Sequence, residues 1–174
     1  DTLALGHLEK SGLFQNRIDR KFVLPSGLLE DLIAFANTHY RVLEINGTRC
    51  FPYQTRYYDT PAFDFYFQHH RNKPSRVKVR ERTYLESGLQ FLEVKQKEAN
   101  GRTRKFRIPE VNLEQAGDFI AEHAGLPASA LTCTLTSRYH RITLFHKTAL
   151  EKVTIDMDLG YASASGEQDF PHIL

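Results

Sequence analysis

The sequence predicts an α+β fold dominated by an antiparallel sheet. Three observations lead there. Segments 76–84, 89–96 and 103–108 alternate side chains with the period of a strand. They follow one another through Ser87-Gly88 and Asn100-Gly101, dipeptides that suit hairpin turns, whereas parallel pairing would need a crossover of a dozen or more residues. Clear helical periodicity is confined to two segments on either side of this centre, 27–40 and 112–125.

Asn16 to Pro25 reads as a first strand, with Arg17, Asp19 and Lys21 on one face and Ile18, Arg20 and Phe22 on the other. Ser26 is placed to cap a helix over 27–40, whose apolar stripe is Leu28, Leu29, Leu32, Ile33 and Ala36. A strand over 41–45 leads into the turn dipeptide Asn46-Gly47. Residues 52–60 form an aromatic-rich strand, and 62–70 a short amphipathic helix or loop. After the three central strands, Asn112 caps the second helix, with Gln115 three residues on, and Gly125 ends it. Segments 135–147 and 152–160 make a last strand pair.

The central strands carry an unusual charge pattern. Arg76, Lys78, Arg80 and Arg82 share one face of the first, opposite Val77, Val79, Glu81 and Thr83. Glu93, Lys95 and Lys97 share a face of the second, and Lys105 and Arg107 of the third. Between Arg71 and Arg107 there are twelve basic and four acidic side chains, 12 − 4 = +8, against +2 for the whole chain. A solvated sheet face normally mixes signs, because unlike cross-strand pairs attract and like pairs repel. A single-sign face suits an anion with many oxygens. Arginine offers a planar fork and lysine a compact charge. Alternate residues stand about 7 Å apart, a spacing that suits successive phosphoryl groups. If the strands curl, these faces line the inside of a barrel and the apolar faces pack under helices outside. Such an interior stays wet or holds a polyanion, since burying unmatched charge costs several kcal/mol per ion.

Composition bounds the rest. The 174 residues support one domain over 1–174, and 41% hydrophobic with 25% charged residues is ordinary for a globular protein. Cys50 and Cys133 are too few for a disulfide framework, lack zinc spacing and point to a reducing, cytoplasmic setting. No apolar run approaches the roughly 18 residues of a membrane helix, and no signal peptide is visible. The start at Asp1 and the apolar "DFPHIL" end read as cuts from something longer. No P-loop, Rossmann or kinase signature is present, nor a Ser-His-Asp or Cys-His nucleophile pattern.

The runs "RIDRKFVL", "RYYDTPAFDFYFQHH", "VKVRERTY", "FLEVKQKEANGRTRKFRI", "RYHRITL" and "KVTIDMDLGY", in this order, resemble the vacuolar transporter chaperone (VTC) domain, a relative of the CYTH domains among the triphosphate tunnel enzymes. The resemblance spans roughly Arg17 to Tyr161. It implies an antiparallel β-barrel forming a basic tunnel, helices packed outside, and polyphosphate synthesis from ATP with a divalent metal, Mn²⁺ or Mg²⁺. Carried over by motif, Lys21 is the basic residue of the first strand, Arg80 and Arg82 the R-x-R pair, Lys95 the lysine of E-x-K, Lys105 that of K-x-R, and Arg141 the arginine of a later strand. Lys152 stands where arginine is usual, which keeps the charge and loses the fork. The family continues with an acidic strand and a Ser-Lys motif beyond the equivalent of Leu174, so a tunnel short of its last strand or strands is expected.

The resulting expectation is phosphoryl transfer from ATP to a growing polyphosphate chain. Arg80, Arg82, Lys95 and Arg141 act on the reacting phosphates. Lys21, Lys78, Lys105, Arg107 and Lys152 join them in binding. Asp156 and Asp158, on one strand face with Thr154, and Glu93, beside Lys95, are the metal-ligand candidates, with ion pairing to the basic wall as the simpler role. His69 and His70 point apart and read as structural; Tyr57, Tyr58 and Tyr66 read as wall aromatics, with base stacking as the alternative. Two rivals are kept. One is a tunnel triphosphatase hydrolysing ATP or triphosphate, against which Arg17 and Asp19 stand where the E-x-E-x-K pattern has two glutamates. The other is a non-enzymatic polyphosphate-binding module. No specific nucleic-acid partner is expected, because no aromatic platform is evident on the cationic faces. Membrane association would come only through a partner protein.

Overall fold

Hairpins organise the centre of the chain, as its turn dipeptides require. The computed structural model describes residues 2–4 and 19–174. Its elements are β1 (Thr2–Ala4), β2 (Leu24–Pro25), α1 (Leu29–His39), β3 (Tyr40–Glu44), β4 (Cys50–Asp59), α2 (Asp64–His70), β5 (Arg76–Tyr84), β6 (Gln90–Lys97), β7 (Thr103–Pro109), α3 (Gly117–Ala124), β8 (Thr132–His146), β9 (Lys152–Ser163), β10 (Gly166–Phe170) and β11 (His172–Ile173). The fold is α+β with a mostly antiparallel sheet. Among the described residues the sheet forms no closed barrel. The chain divides into two compact units, residues 53–138 with 161–168, and residues 1–52 with 139–160 and 169–174.

In the unit built from 53–138 and 161–168, β4, β5, β6 and β7 lie side by side, each antiparallel to the next. The β5–β6 turn closes through Gly88 N–H donating to Tyr84 O at 2.8 Å, with Gly88 at φ +70°, a conformation glycine adopts without Cβ strain. Alternation then sends Val79, Leu92 and Val94 to one side, where they are fully buried against Ile120 of α3 and against Leu113, Ala116 and Leu131. Each such side chain contributes about 1.5–3 kcal/mol through removal from water. The helix is introduced by the expected reciprocal bonds: Gln115 N–H donates to Asn112 Oδ1 at 2.9 Å and Asn112 N–H to Gln115 Oε1 at 3.4 Å. It begins only at Gly117 and ends before Gly125, at φ +75°. One acid lies on the packed face. Glu81 is 4% exposed and is matched by Arg56 Nη1 at 3.4 Å and by the Tyr58 hydroxyl, which donates at 3.2 Å. Burial and Glu81 together push the Tyr58 phenol up to about 12.

The segment 59–70 is a folded device in its own right. The buried Asp59 carboxylate accepts from Thr60 N–H and Phe65 N–H on one oxygen and Tyr66 N–H on the other, at 2.8–2.9 Å. These bonds satisfy otherwise orphaned donors at the start of α2. Residues 62–70 are therefore a true helix from Asp64 onward, resolving the helix-or-loop ambiguity.

In the other unit, β3 pairs with β1 in parallel and with β8 antiparallel, β9 lies beside β8, and β11 pairs with β2. Ala36 of α1 packs with Leu144, Ile155 and Ile173. Two expectations are corrected here. Ser26 does not cap α1: residues Ser26–Leu28 form a 3₁₀ turn leading into the helix, with no side-chain cap bond. The strand expected over 16–25 is reduced to Leu24–Pro25. Residues 16–18 lie outside the described residues, and 19–23 are not strand. Alternation needs a partner to become a strand, and Phe22 and Val23 are exposed, with no strand paired to them among the described residues.

Candidate phosphate-binding site

The register of the β4–β7 sheet decides what the cationic residues meet. Lys78 pairs with Lys95, and Lys95 with Lys105, so three lysines stand in one row across three strands. Next to it, Arg80, Glu93 and Arg107 form a second row, extended on β4 by Tyr57. Thr55, Arg82 and Phe91 form a third, and Arg76, Lys97 and Thr103 a fourth. All share the face opposite Val79, Leu92 and Val94. Directly paired residues have Cβ atoms about 5 Å apart, where like charges repel. Three cations in one row make this part of the face favourable to an anion.

Local partners tune the face. Arg80 Nε meets Glu93 Oε2 at 2.5 Å in a part-buried ion pair. Arg82 Nε lies 3.4 Å from Oγ1 of the fully buried Thr55 and stacks over Tyr53 at 5.8 Å. Arg107 lies over Phe91 at 5.0 Å, and Lys78 Nζ over Tyr57 at 4.5 Å. Aromatic rings thus do share the cationic face, contrary to the sequence reading. Their partners are the cations, which they hold upright by cation–π attraction. The field shows in Tyr57: burial pushes its phenol up, yet Lys78, Arg80, Arg82 and a hydrogen bond with Ser137 bring it below its ordinary value. His69 behaves in the same sense, held below its usual range by burial and by Lys78 and Arg76.

One set of expected site residues is thereby gathered on a single sheet face: Lys78, Arg80, Arg82, Glu93, Lys95, Lys105 and Arg107. The others belong to the second unit. Arg141 of β8 clasps Asp156 of β9 through two bonds of 2.5 and 2.6 Å. Asp158 adopts φ +54°, which breaks the strand alternation, and its carboxylate meets His140 Nδ1 at 3.1 Å. Because His140 and Arg141 are neighbours on β8, they point to opposite faces, so the two aspartates are not side by side as the sequence suggested. Lys152 opens β9 and is exposed; Lys21 is exposed and lies on no strand. Tyr57 stands on this face as the wall aromatic expected of it, whereas Thr55, Tyr53 and Phe91 were missed as site residues. Their signal is the pairing register, which one strand's pattern does not contain.

Among the described residues no group of three or more His, Cys, Asp or Glu side chains is arranged to hold a metal ion. Glu93 and Asp156 are each engaged by a guanidinium. This donor set does not make a protein cage.

A profile of the VTC domain matches residues 16–172.

The chain belongs to the VTC domain family.

No curated protein sequence matches this VTC domain. Among solved structures, it is similar to a candidate adenylate cyclase from Vibrio parahaemolyticus, with a TM-score of 0.52 and 15% identity over 91% of this chain and 76% of that one. A candidate adenylyl cyclase from Hippeastrum with dominant triphosphatase activity aligns at a TM-score of 0.48 and 14% identity, over 87% and 74% of the two chains. At this identity the first likeness shows a shared fold.

Proposed function

We propose that this VTC domain binds the triphosphate of ATP and extends a polyphosphate chain from it. The observation that carries the reading is the Lys78–Lys95–Lys105 row, flanked by Arg80, Arg82 and Arg107 on the open face of the sheet. Cations aligned across three strands attract an anion with many oxygens.

The chemistry asks little of acid–base groups. A terminal oxygen of the acceptor phosphate attacks the γ-phosphorus, the bond from that phosphorus to the bridging β–γ oxygen breaks, and ADP leaves. Catalysis then rests on alignment and on neutralising the phosphate oxygens. Arg80 and Arg82 present forks to them, and Lys78, Lys95 and Lys105 compact charges. Arg141, Lys152 and Lys21, which belong to the other unit, are proposed as further phosphate-binding residues. Glu93 would supply a carboxylate to a phosphate-borne Mn²⁺ or Mg²⁺, with Asp156 and Asp158 as the candidates in the other unit. Such an ion would neutralise charge on the phosphate oxygens when bound.

The test is incubation with γ-labelled ATP and Mn²⁺, with products resolved on a gel. A ladder of long labelled chains supports the polymerase. Labelled orthophosphate alone supports the triphosphatase rival. Nucleotide binding without turnover leaves a polyphosphate-binding module.

A further inference from the structure

Arg80 and Arg82 project to the same side of β5, yet their surroundings differ. Arg80 gives its Nε–H to the Glu93 carboxylate, so a negative charge already offsets it. Arg82 gives its Nε–H to a neutral group, the Thr55 hydroxyl, at 3.4 Å. Among the described residues this is the one hydrogen bond of the Arg82 side chain. Its charge is not offset by a carboxylate, and its two terminal nitrogens are left for a ligand. A guanidinium carries its donors in a rigid planar fork, so fixing Nε fixes where the other nitrogens point.

Thr55 has an unusual place for a polar side chain. It is fully buried in the strand β4, directly opposite Arg82 in the register. A buried hydroxyl is costly unless it is bonded, and valine would fill the same space without that cost. The bond it makes is the one from Arg82. Tyr53, the diagonal neighbour on β4, sets its ring 5.8 Å from the guanidinium carbon. That ring is itself held, by Tyr84 at 5.0 Å, which in turn meets Phe91 edge-on at 6.0 Å. We propose that Thr55 is a positioning residue of the phosphate site: it fixes Arg82 through Nε, Tyr53 steadies the guanidinium plane, and the terminal nitrogens form a fork set before the phosphoryl group arrives. This role rests on the phosphate reading and adds which of the two arginines is preorganised, and by what. A side chain ordered in advance need not be ordered at binding, which raises affinity.

Arginine side-chain NMR of the ligand-free protein and calorimetry with inorganic triphosphate test it on the same variants. The Arg82 Nε–H should exchange slowly with water. Thr55→Val removes the hydroxyl and keeps the size of the side chain, so it should abolish that protection. The melting temperature should barely move, because Arg82 is only half-buried and its Nε–H can turn to water. Triphosphate affinity should fall about threefold to tenfold, the cost of ordering one long side chain on binding, and Thr55→Ser should restore it. In an Arg82→Ala background, Thr55→Val should cost no further affinity. An unprotected Arg82 Nε–H, or protection that survives Thr55→Val, would overturn the positioning role. So would unchanged affinity in Thr55→Val, or a loss as large in the Arg82→Ala background as in the parent. Thr55-dependent protection in a protein that binds no triphosphate would leave Arg82 positioned by Thr55 and sink the phosphate reading instead.

Discussion

Lys95 and Arg141 are both cations carried over from one family pattern, yet their surroundings make different predictions. Lys95 stands between Lys78 and Lys105, and Arg141 is clasped by Asp156. Replacing Lys95 by methionine removes the charge while keeping the stem. We expect a loss of triphosphate affinity of about tenfold to a hundredfold, from one charge-assisted bond of roughly 1.5–3 kcal/mol, read by calorimetry. Arg141→Ala strands a carboxylate that is only 15% exposed, so about 3 kcal/mol of stability should be lost, measured by urea unfolding. Unchanged triphosphate affinity in Lys95→Met would count against the row as an anion site. The cations themselves were legible from alternation. Their counter-ions were not, because Glu93 is thirteen residues from Arg80 and Asp156 fifteen from Arg141.

At the scale of elements, α2 hangs on one carboxylate. Asp59 accepts three backbone N–H groups while almost fully buried. Asp59→Ala leaves those donors unmet and should cost about 2–3 kcal/mol; a denaturation midpoint shift of the same sign would show it. His69, on the same helix, gives a pH test. Its imidazole is held below the ordinary value by burial first and by Lys78 and Arg76 next. The unfolded chain takes up a proton near pH 6.5 where the folded one resists it, so this contribution to stability is present above that pH and lost as pH falls through the folded value. Histidine NMR titration should find His69 titrating low, and moving upward when triphosphate offsets the neighbouring cations. No upward movement on saturation would place the anion away from Lys78 and Arg76.

For the whole molecule, a ligand that binds only the folded chain stabilises it by mass action, by about 2.7 kcal/mol at a hundredfold excess over Kd. Triphosphate and polyphosphate should raise the melting temperature, and the effect should weaken with added salt. Single-stranded oligonucleotide at equal charge should do much less, because the aromatic rings of the cationic face are occupied by Lys78, Arg82 and Arg107. Equal stabilisation would mean generic electrostatics in place of a phosphate site.

The sequence by itself determined the α+β class, the hairpins at Ser87-Gly88 and Asn100-Gly101, the capping pair of Asn112 and Gln115, and the single-sign face of β5. These are local properties, written in alternation, turn chemistry and spacing of a few residues. It failed at 19–23, where alternation found no partner strand, and at Asp158, where a left-handed backbone conformation breaks the period of two. Only the tertiary structure decided that three lysines align, that Glu93 answers Arg80, and that Thr55 answers Arg82. Register and chain return bring together residues distant in sequence, and the composition of one strand carries no record of which neighbour it will meet.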